Sequence, residues 1–268
     1  KADPLPGVKN IIGVSSGKGG VGKSTVAANL AVALAREGYR VGLLDADIFG
    51  PSIPKMFGVE DEQLYMHEVD GVSKIIPVER YGVIGFLVDR NSPVVWRGSM
   101  ASNALKQLIE QGDWGELDYF LIDMPPGTSD IHLTLVQTLG ITGVVVVSTP
   151  QQVALADTRK GIAMFTDPKI NVPVLGIVEN MAWFTPESHP DERYYIFGNG
   201  GASRLADELG VKLLACIPLV AAVGVHSDEG EPVAAGDTIS AQAFIHLAHE
   251  VIDAVADRNR DLPPTQNV

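Results

Sequence analysis

Near its start, the chain places a glycine-rich loop between an apolar strand and a helix, and this order constrains the fold more than any other feature. Residues 17–25 read GKGGVGKST. Residues 11–15 before them are mostly apolar, as in a buried strand, and residues 26–36 after them are rich in Ala and Leu, as in a helix. Glycines let the backbone wrap around a phosphate without clashes at Cβ, and the N-terminus of a helix presents free N–H donors to the anion. The sequence therefore predicts a phosphate-binding loop, called the P-loop below, at the end of the first strand.

The P-loop carries two lysines where the general pattern needs one. The segment fits the pattern of Gly, four residues, Gly, Lys and Ser or Thr, in which backbone N–H groups cradle phosphates. Within it, Lys23 is expected to neutralise the phosphates and the Ser24 hydroxyl to bind Mg²⁺. Lys18 has no role in this minimal pattern, so its presence narrows the class of protein. The loop residues predicted to bind the nucleotide are Gly17, Lys18, Gly19, Gly20, Val21, Gly22, Lys23, Ser24 and Thr25.

Beyond the P-loop, short apolar runs alternate with helical patterns. The runs are residues 41–45, 119–123, 144–149, 174–178 and 213–217, and the helical patterns are residues 99–111, 130–139, 154–165, 202–209 and 241–257. Strands that are apolar throughout are buried on both faces, so the alternation predicts a doubly wound, mostly parallel α/β sheet with helices on both faces. Residues 64–88 are broken by glycines and a proline and are expected to form two or three short strands at a sheet edge.

Composition and charge limit the partners that this surface can take. The chain has 268 residues, 46% of them hydrophobic, and no apolar run approaches the ~20 residues of a membrane span. The net charge of −13 opposes binding to nucleic acid or to anionic lipid, so we expect neither partner. The single cysteine, Cys216, excludes an internal disulfide framework and favours a reducing compartment, with the cytoplasm as the expectation.

No linker-like stretch interrupts the middle of the chain. Residues 10–257 are therefore predicted to form one P-loop domain, preceded by a linker at residues 1–9 and followed by a tail at residues 258–268.

Two carboxylate-bearing segments follow predicted strands. Asp45 and Asp47 come after the second strand, and Asp123 ends the strand at residues 119–123. Ligands gather at the carboxyl ends of such strands, and a carboxylate beside phosphates is repulsive unless a cation lies between them. Ser24, Asp47 and Asp123 are therefore predicted to hold Mg²⁺, with Asp47 alternatively orienting the attacking water. Aspartates at helix N-caps or turns are the competing interpretation.

After Asp123, Pro125-Pro126-Gly127 predicts a stiff segment that ends in a hinge and could sense a terminal phosphate. Residues 123–127 are called the second switch segment below.

Several motifs together resemble one family. GKGGVGKST, DADIFGPSIP, DMPPGTSD, TPQQVALAD and GIVENM are similar to the Mrp/ApbC family of iron–sulfur cluster carrier ATPases, which belong to the MinD/ParA-type class with a deviant Walker A loop. The resemblance runs from about residue 10 to about residue 256, nearly the whole chain.

The resemblance implies a slowly hydrolysing ATPase that sandwiches two ATP molecules between two copies of the chain. Lys18 would then reach the partner's nucleotide and steady the charge that develops in phosphoryl transfer. Lys18, Lys23 and Asp47 would be catalytic, and Asn180 would contact adenine. Asp47 would also belong to the first switch of the family. The second switch would consist of Asp123, Pro125, Pro126 and Gly127. An asparagine that simply forms a left-handed turn is the alternative for Asn180.

The chain departs from the family where the cluster would bind. Many members carry a Cys-x-x-Cys pair shortly after the segment that is Asn180-Met181 here, and two such pairs hold one [4Fe–4S] cluster. Residues 185–191 read TPESHPD and contain no thiol. Cys216 is predicted to be a core residue, and His189 is more simply explained as a polar residue of a surface loop than as a metal ligand. The cluster is thus implied by resemblance, but its ligands are not found.

Two functions remain open at this level. The first is an ATP-hydrolysing homodimer that binds or transfers iron–sulfur clusters, with cluster assembly or recipient proteins as partners. The alternative is a nucleotide-gated scaffold or positioning ATPase of the ParA/MinD type with no cluster of its own. The missing thiol pair favours the alternative, and the absence of a basic amphipathic tail opposes it.

Overall fold

The computed structural model describes residues 2–47, 52–62, 65–85, 99–220 and 229–267. Six parallel strands carry the sheet: β1 (Val8–Ser16), β2 (Val41–Asp45), β7 (Leu117–Asp123), β8 (Gly143–Ser148), β9 (Val174–Glu179) and β10 (Leu213–Cys216). The short strand β6 (Val83–Gly85) adds parallel to β2, and β5 (Val78–Arg80) pairs antiparallel with β6. The order across the sheet is β10-β9-β8-β1-β7-β2-β6-β5.

Helices cover both faces of this sheet. They are α1 (Lys23–Arg36), α2 (Ile53–Met56), α3 (Ser99–Gln111), α4 (Asp130–Thr138), α5 (Gln152–Thr166), α6 (Gly201–Leu209) and α7 (Ile239–Asp261). Strand residues alternate between two cores: Ile12 packs with α1 and α7 on one face, and Ile11 packs with α3, α4, α5 and α6 on the other. The doubly wound parallel fold predicted from the apolar runs is confirmed.

Some elements extend past their predicted bounds. β1 begins at Val8, because its polar residues Lys9 and Asn10 lie at the exposed start of the strand and contact Asp118. α7 continues to Asp261, because Arg258 is buried inside the helix and its Nε donates to the carbonyl of Thr142 at 2.6 Å. Among the described residues, every helix is too short or too polar to cross a membrane.

The region predicted as edge strands is more elaborate than expected. β5 and β6 extend the edge of the main sheet, whereas β3 (Tyr65–Val69) and β4 (Val72–Ile76) form a separate antiparallel hairpin. The remaining positions of this prediction, residues 64 and 86–88, lie outside the described residues, as do residues 48–51 of the DADIFGPSIP motif.

Candidate nucleotide site

The P-loop connects the end of β1 to the start of α1 and lines a cavity of about 240 Å³. Gly20 and Gly22 both have φ of +78°, a left-handed conformation that favours glycine, and Gly22 caps α1. The N-terminus of α1 therefore opens towards the cavity, as anion binding requires. The lining residues are Ser16, Lys18, Gly19, Gly20, Val21, Gly22, Lys23, Ser24, Thr25, Asp47, Met56 and Pro126.

The base of the P-loop is held by neighbouring elements. Gly17 lies so close to α5 that a Cβ there would collide with the backbone of Asp157 and Thr158. The Ser16 hydroxyl donates to the carbonyl of Lys18 at 2.8 Å. Gly17 is thus required by close packing against a helix far along the chain, in addition to its place in the motif.

The buried side chains of Lys23 and Asp123 lie beneath the loop with the half-buried Ser24. The Lys23 ammonium forms an ion pair with one carboxylate oxygen of Asp123, and the Ser24 hydroxyl donates to the other at 2.6 Å. Burial raises the pKa of Asp123, while the charge of Lys23 acts in the opposite direction. The hydroxyl and carboxylate oxygens are the hard donors that Mg²⁺ prefers. They fit the predicted ion.

Asp47, the third residue predicted at the Mg²⁺ site, lines the same cavity and acts electrostatically on Asp123. Its carboxylate therefore belongs to the same site as Ser24 and Asp123. The predicted convergence of β2 and β7 follows from their pairing, in which Asp45 and Asp123 stand side by side in register.

Asp45 proves to be an anchor for the following loop, a role that the sequence analysis did not assign to it. One oxygen of its carboxylate accepts the Asp47 N–H at 3.0 Å, and the other accepts the N–H groups of Ser52 at 3.2 Å and Ile53 at 3.3 Å. Burial, then the nearby charge of Asp123, raises the pKa of Asp45 to about 7. The signal in the sequence is that Asp45 ends the apolar run of β2, whereas Asp47 lies two residues beyond it.

The second switch segment is fastened to the end of β1. The N–H of Met124 donates to the carbonyl of Val14, and the N–H of Gly127 to that of Ser16, both at 3.0 Å. Gly127 has φ of +75°, a left-handed turn. Pro126 lines the cavity. The segment is thus held at both ends with its prolines in between.

Asn180 follows β9 and reaches the P-loop from behind. Its side-chain amide donates to the carbonyl of Val21 at 2.9 Å, and its own N–H donates to the carbonyl of Ser148. The left-handed residue in this turn is Met181, not Asn180. Asn180 therefore supports the loop, and its contact with adenine stays a prediction.

The residues near the expected cluster site do not form a cluster-binding set. Cys216 is half-buried at the end of β10, and burial and the neighbouring Glu179 raise the pKa of its thiol. No group of three His, Cys, Asp or Glu side chains that could hold a metal ion occurs in the part of the chain that the structure describes. A [4Fe–4S] cluster usually takes four thiolates, and two copies of this chain supply two cysteines.

The loop after Asn180 is instead closed by aromatic and backbone contacts. The Arg193 guanidinium lies 4.1 Å from the centre of the Trp183 ring, and Phe184 pairs with Tyr194 through two backbone hydrogen bonds. His189 lies near Glu192 on the exposed part of the loop, at 3.9 Å.

Comparisons with known proteins identify the family to which the chain belongs. Residues 7–252 match the family described as ParA, NUBPL iron-transfer P-loop NTPase. A protein of Aquifex aeolicus named iron-sulfur cluster carrier protein is 48% identical over 261 residues, which cover 95% of this chain and 70% of that protein.

Two solved structures share the fold. A nucleotide-binding protein of Archaeoglobus fulgidus in complex with ADP has a TM-score of 0.71 and 39% identity, and the match covers 85% of this chain and 88% of that one. The cell division ATPase MinD of Pyrococcus furiosus has a TM-score of 0.62 and 26% identity, over 91% of this chain and 98% of that one. The chain belongs to the ParA/NUBPL family of iron-transfer P-loop NTPases.

Proposed function

We propose that this chain is an ATPase whose nucleotide state controls the transfer of iron–sulfur clusters between other proteins. The observation that carries the proposal is the cluster of Lys23, Ser24 and Asp123 beneath a P-loop that also bears Lys18. The names of the A. aeolicus carrier and of the MinD ATPase support the two halves of the proposal.

Each residue of the site has a chemical task in ATP hydrolysis. Lys23 neutralises the phosphates, and Ser24 and Asp123 supply oxygen ligands for Mg²⁺ beside Asp47. When bound, Mg²⁺ neutralises charge on the phosphate oxygens. Asp47 orients the attacking water, and its backbone N–H is held by Asp45.

Two copies of the chain act together in this proposal. Lys18 lines the cavity yet is not needed to cradle the phosphates, which suits a role across a dimer interface. Asn180, which holds the P-loop at Val21, would contact adenine.

The cluster itself is cargo that this chain cannot bind with its own thiols alone. With one cysteine per chain, the ligands must come largely from an assembly or recipient protein, or from a segment outside residues 1–268. Such a partner, together with the reducing conditions that clusters need, suits a cytoplasmic location.

An ATP-gated scaffold or positioning protein is the second candidate, and the absence of the thiol pair favours it. Anaerobic reconstitution of the full-length protein with iron and sulfide separates the two. Visible absorption and iron content should show a cluster only when a thiol-bearing partner is present. If no cluster is transferred to any recipient protein, the scaffold function is the one that remains.

The catalytic part is tested by steady-state ATP hydrolysis. Lys18→Ala and Lys23→Ala should each lower kcat by at least about tenfold. Lys9→Ala is the matched control, since Lys9 pairs with Asp118 at the opposite end of β1. Wild-type rates in both P-loop variants would remove the ATPase assignment.

A further inference from the structure

His132 is a buried histidine next to the second switch segment. It is the third residue of α4 and is 1% exposed. The N–H of Ser129 donates to its Nδ1 at 3.0 Å, and the Ser129 hydroxyl lies 2.9 Å from the same nitrogen. Because Nδ1 accepts a hydrogen bond, the neutral ring carries its proton on Nε2.

The Nε2–H group lacks a well-placed hydrogen-bond acceptor. Within the described ranges, Nε2 is buried and makes no hydrogen bond of good geometry, although the Pro125 backbone lies close enough to act on the ring as a weak hydrogen-bond partner. Burial lowers the pKa of His132 to about 4, against the opposing effect of the Pro125 backbone. The ring is therefore neutral near pH 7, and its buried N–H carries part of the free-energy penalty of an unsatisfied donor.

The two prolines of the second switch segment connect this ring to the nucleotide cavity. Neither proline has an N–H, so between the bonded N–H groups of Met124 and Gly127 the backbone offers only carbonyls. Pro125 acts on the His132 ring, and Pro126 lines the cavity. A movement of the prolines at the cavity therefore changes the distance between the Pro125 carbonyl and Nε2.

We propose that His132 is a positioning residue for ATP hydrolysis, whose Nε2–H donates to the carbonyl of Pro125 when the second switch segment closes on the terminal phosphate. The inference rests on the proposed ATPase function. Closure aligns a donor that otherwise lacks a well-formed hydrogen bond, so the ring favours the closed segment without touching the nucleotide.

Two substitutions at His132 separate the effect of its hydrogen bonds from the effect of losing the imidazole ring. His132→Leu removes both the cap acceptor and the donor. His132→Gln retains an oxygen that can accept from Ser129, as Gln does in a capping box, and an N–H that can donate. Thr238→Ala is the control for lost stability, because Thr238 caps the distant helix α7 by accepting the Ala241 N–H at 3.1 Å.

Steady-state kinetics and thermal unfolding of all four proteins give the first test. We expect His132→Leu to lower kcat by about tenfold, which corresponds to the net free energy of about one hydrogen bond. The KM for ATP should stay within about twofold of the wild-type value. His132→Gln should recover kcat to within about threefold of wild type, and Thr238→Ala should lower Tm with unchanged kcat. Wild-type kcat in His132→Leu, or equal losses in the Leu and Gln variants, would overturn the proposal.

A second readout does not depend on turnover. Hydrogen exchange at residues 127–132 is measured with and without a non-hydrolysable ATP analogue and Mg²⁺. We expect added protection in wild type and His132→Gln, and none in His132→Leu. The same protection in all three proteins, or none in wild type, contradicts the role of His132, whereas protection without turnover contradicts only the proposed ATPase.

Discussion

The Lys23 ammonium and the Asp123 carboxylate form an ion pair in the protein interior, where the two side chains are 6% and 0% exposed. Removing Lys23 alone leaves a buried carboxylate without its partner, a loss that costs roughly 3–5 kcal/mol. We expect Lys23→Met to lower the free energy of unfolding by about this amount. Urea denaturation at pH 7 without nucleotide measures it.

The control for this prediction is the double variant Lys23→Met/Asp123→Asn. The neutral amide needs no counter-charge and can still accept the hydrogen bond from Ser24. The double variant should therefore be more stable than Lys23→Met alone. If it is less stable, the pair is not what holds Asp123 in the core.

Asp45 should make stability fall as the pH rises. Its pKa is about 7 in the folded protein against an ordinary value of 3.8 for aspartate, because of burial and the nearby Asp123. Between these values the folded chain holds a proton that the unfolded chain has released, so the free energy of unfolding decreases with increasing pH. Asp45→Asn removes this dependence, and its stability relative to wild type should rise from pH 4 to pH 7. Parallel profiles for the two proteins in urea denaturation would contradict the prediction.

His132 acts in the opposite direction over nearly the same range. Burial lowers its pKa from 6.5 to about 4, so between these pH values the unfolded chain binds a proton that the folded chain does not bind. Stability should drop by on the order of 3 kcal/mol as the pH falls through this window. In His132→Gln this drop disappears, which denaturation at pH 4.5 and pH 7 detects. If the stability of His132→Gln falls between pH 7 and pH 4.5 as much as that of wild type, another group causes the loss.

The fold and the P-loop follow from local sequence. Continuous apolar runs such as Val144–Val147 can be buried only between two helical layers, and glycine spacing sets the anion-binding loop. The hairpin of β3 and β4 was not separated from the sheet edge, because its strands are short and mostly exposed, which weakens any periodic signal.

The roles of Asp45 and His132 are less accessible from sequence. Both depend on contacts between segments: Asp45 accepts from Ser52 and Ile53 in the following loop, and His132 lies next to Pro125 across a turn. A pattern of residue types identifies groups that touch the ligand. It does not identify the groups that hold those ligand-contacting residues in place.

Gly17 and Gly19 should respond very differently to the same added methyl group. A Cβ on Gly17 would collide with the backbone of Asp157 and Thr158, and backbone in the middle of α5 cannot move aside without shifting the helix. A Cβ on Gly19 meets only Pro126, at 4.0 Å, which is ordinary contact. We therefore expect Gly17→Ala to cost about 1–3 kcal/mol of unfolding free energy and Gly19→Ala less than about 1 kcal/mol. Equal losses in thermal and urea denaturation would mean that Gly17 is needed only for the ligand and not for packing against α5.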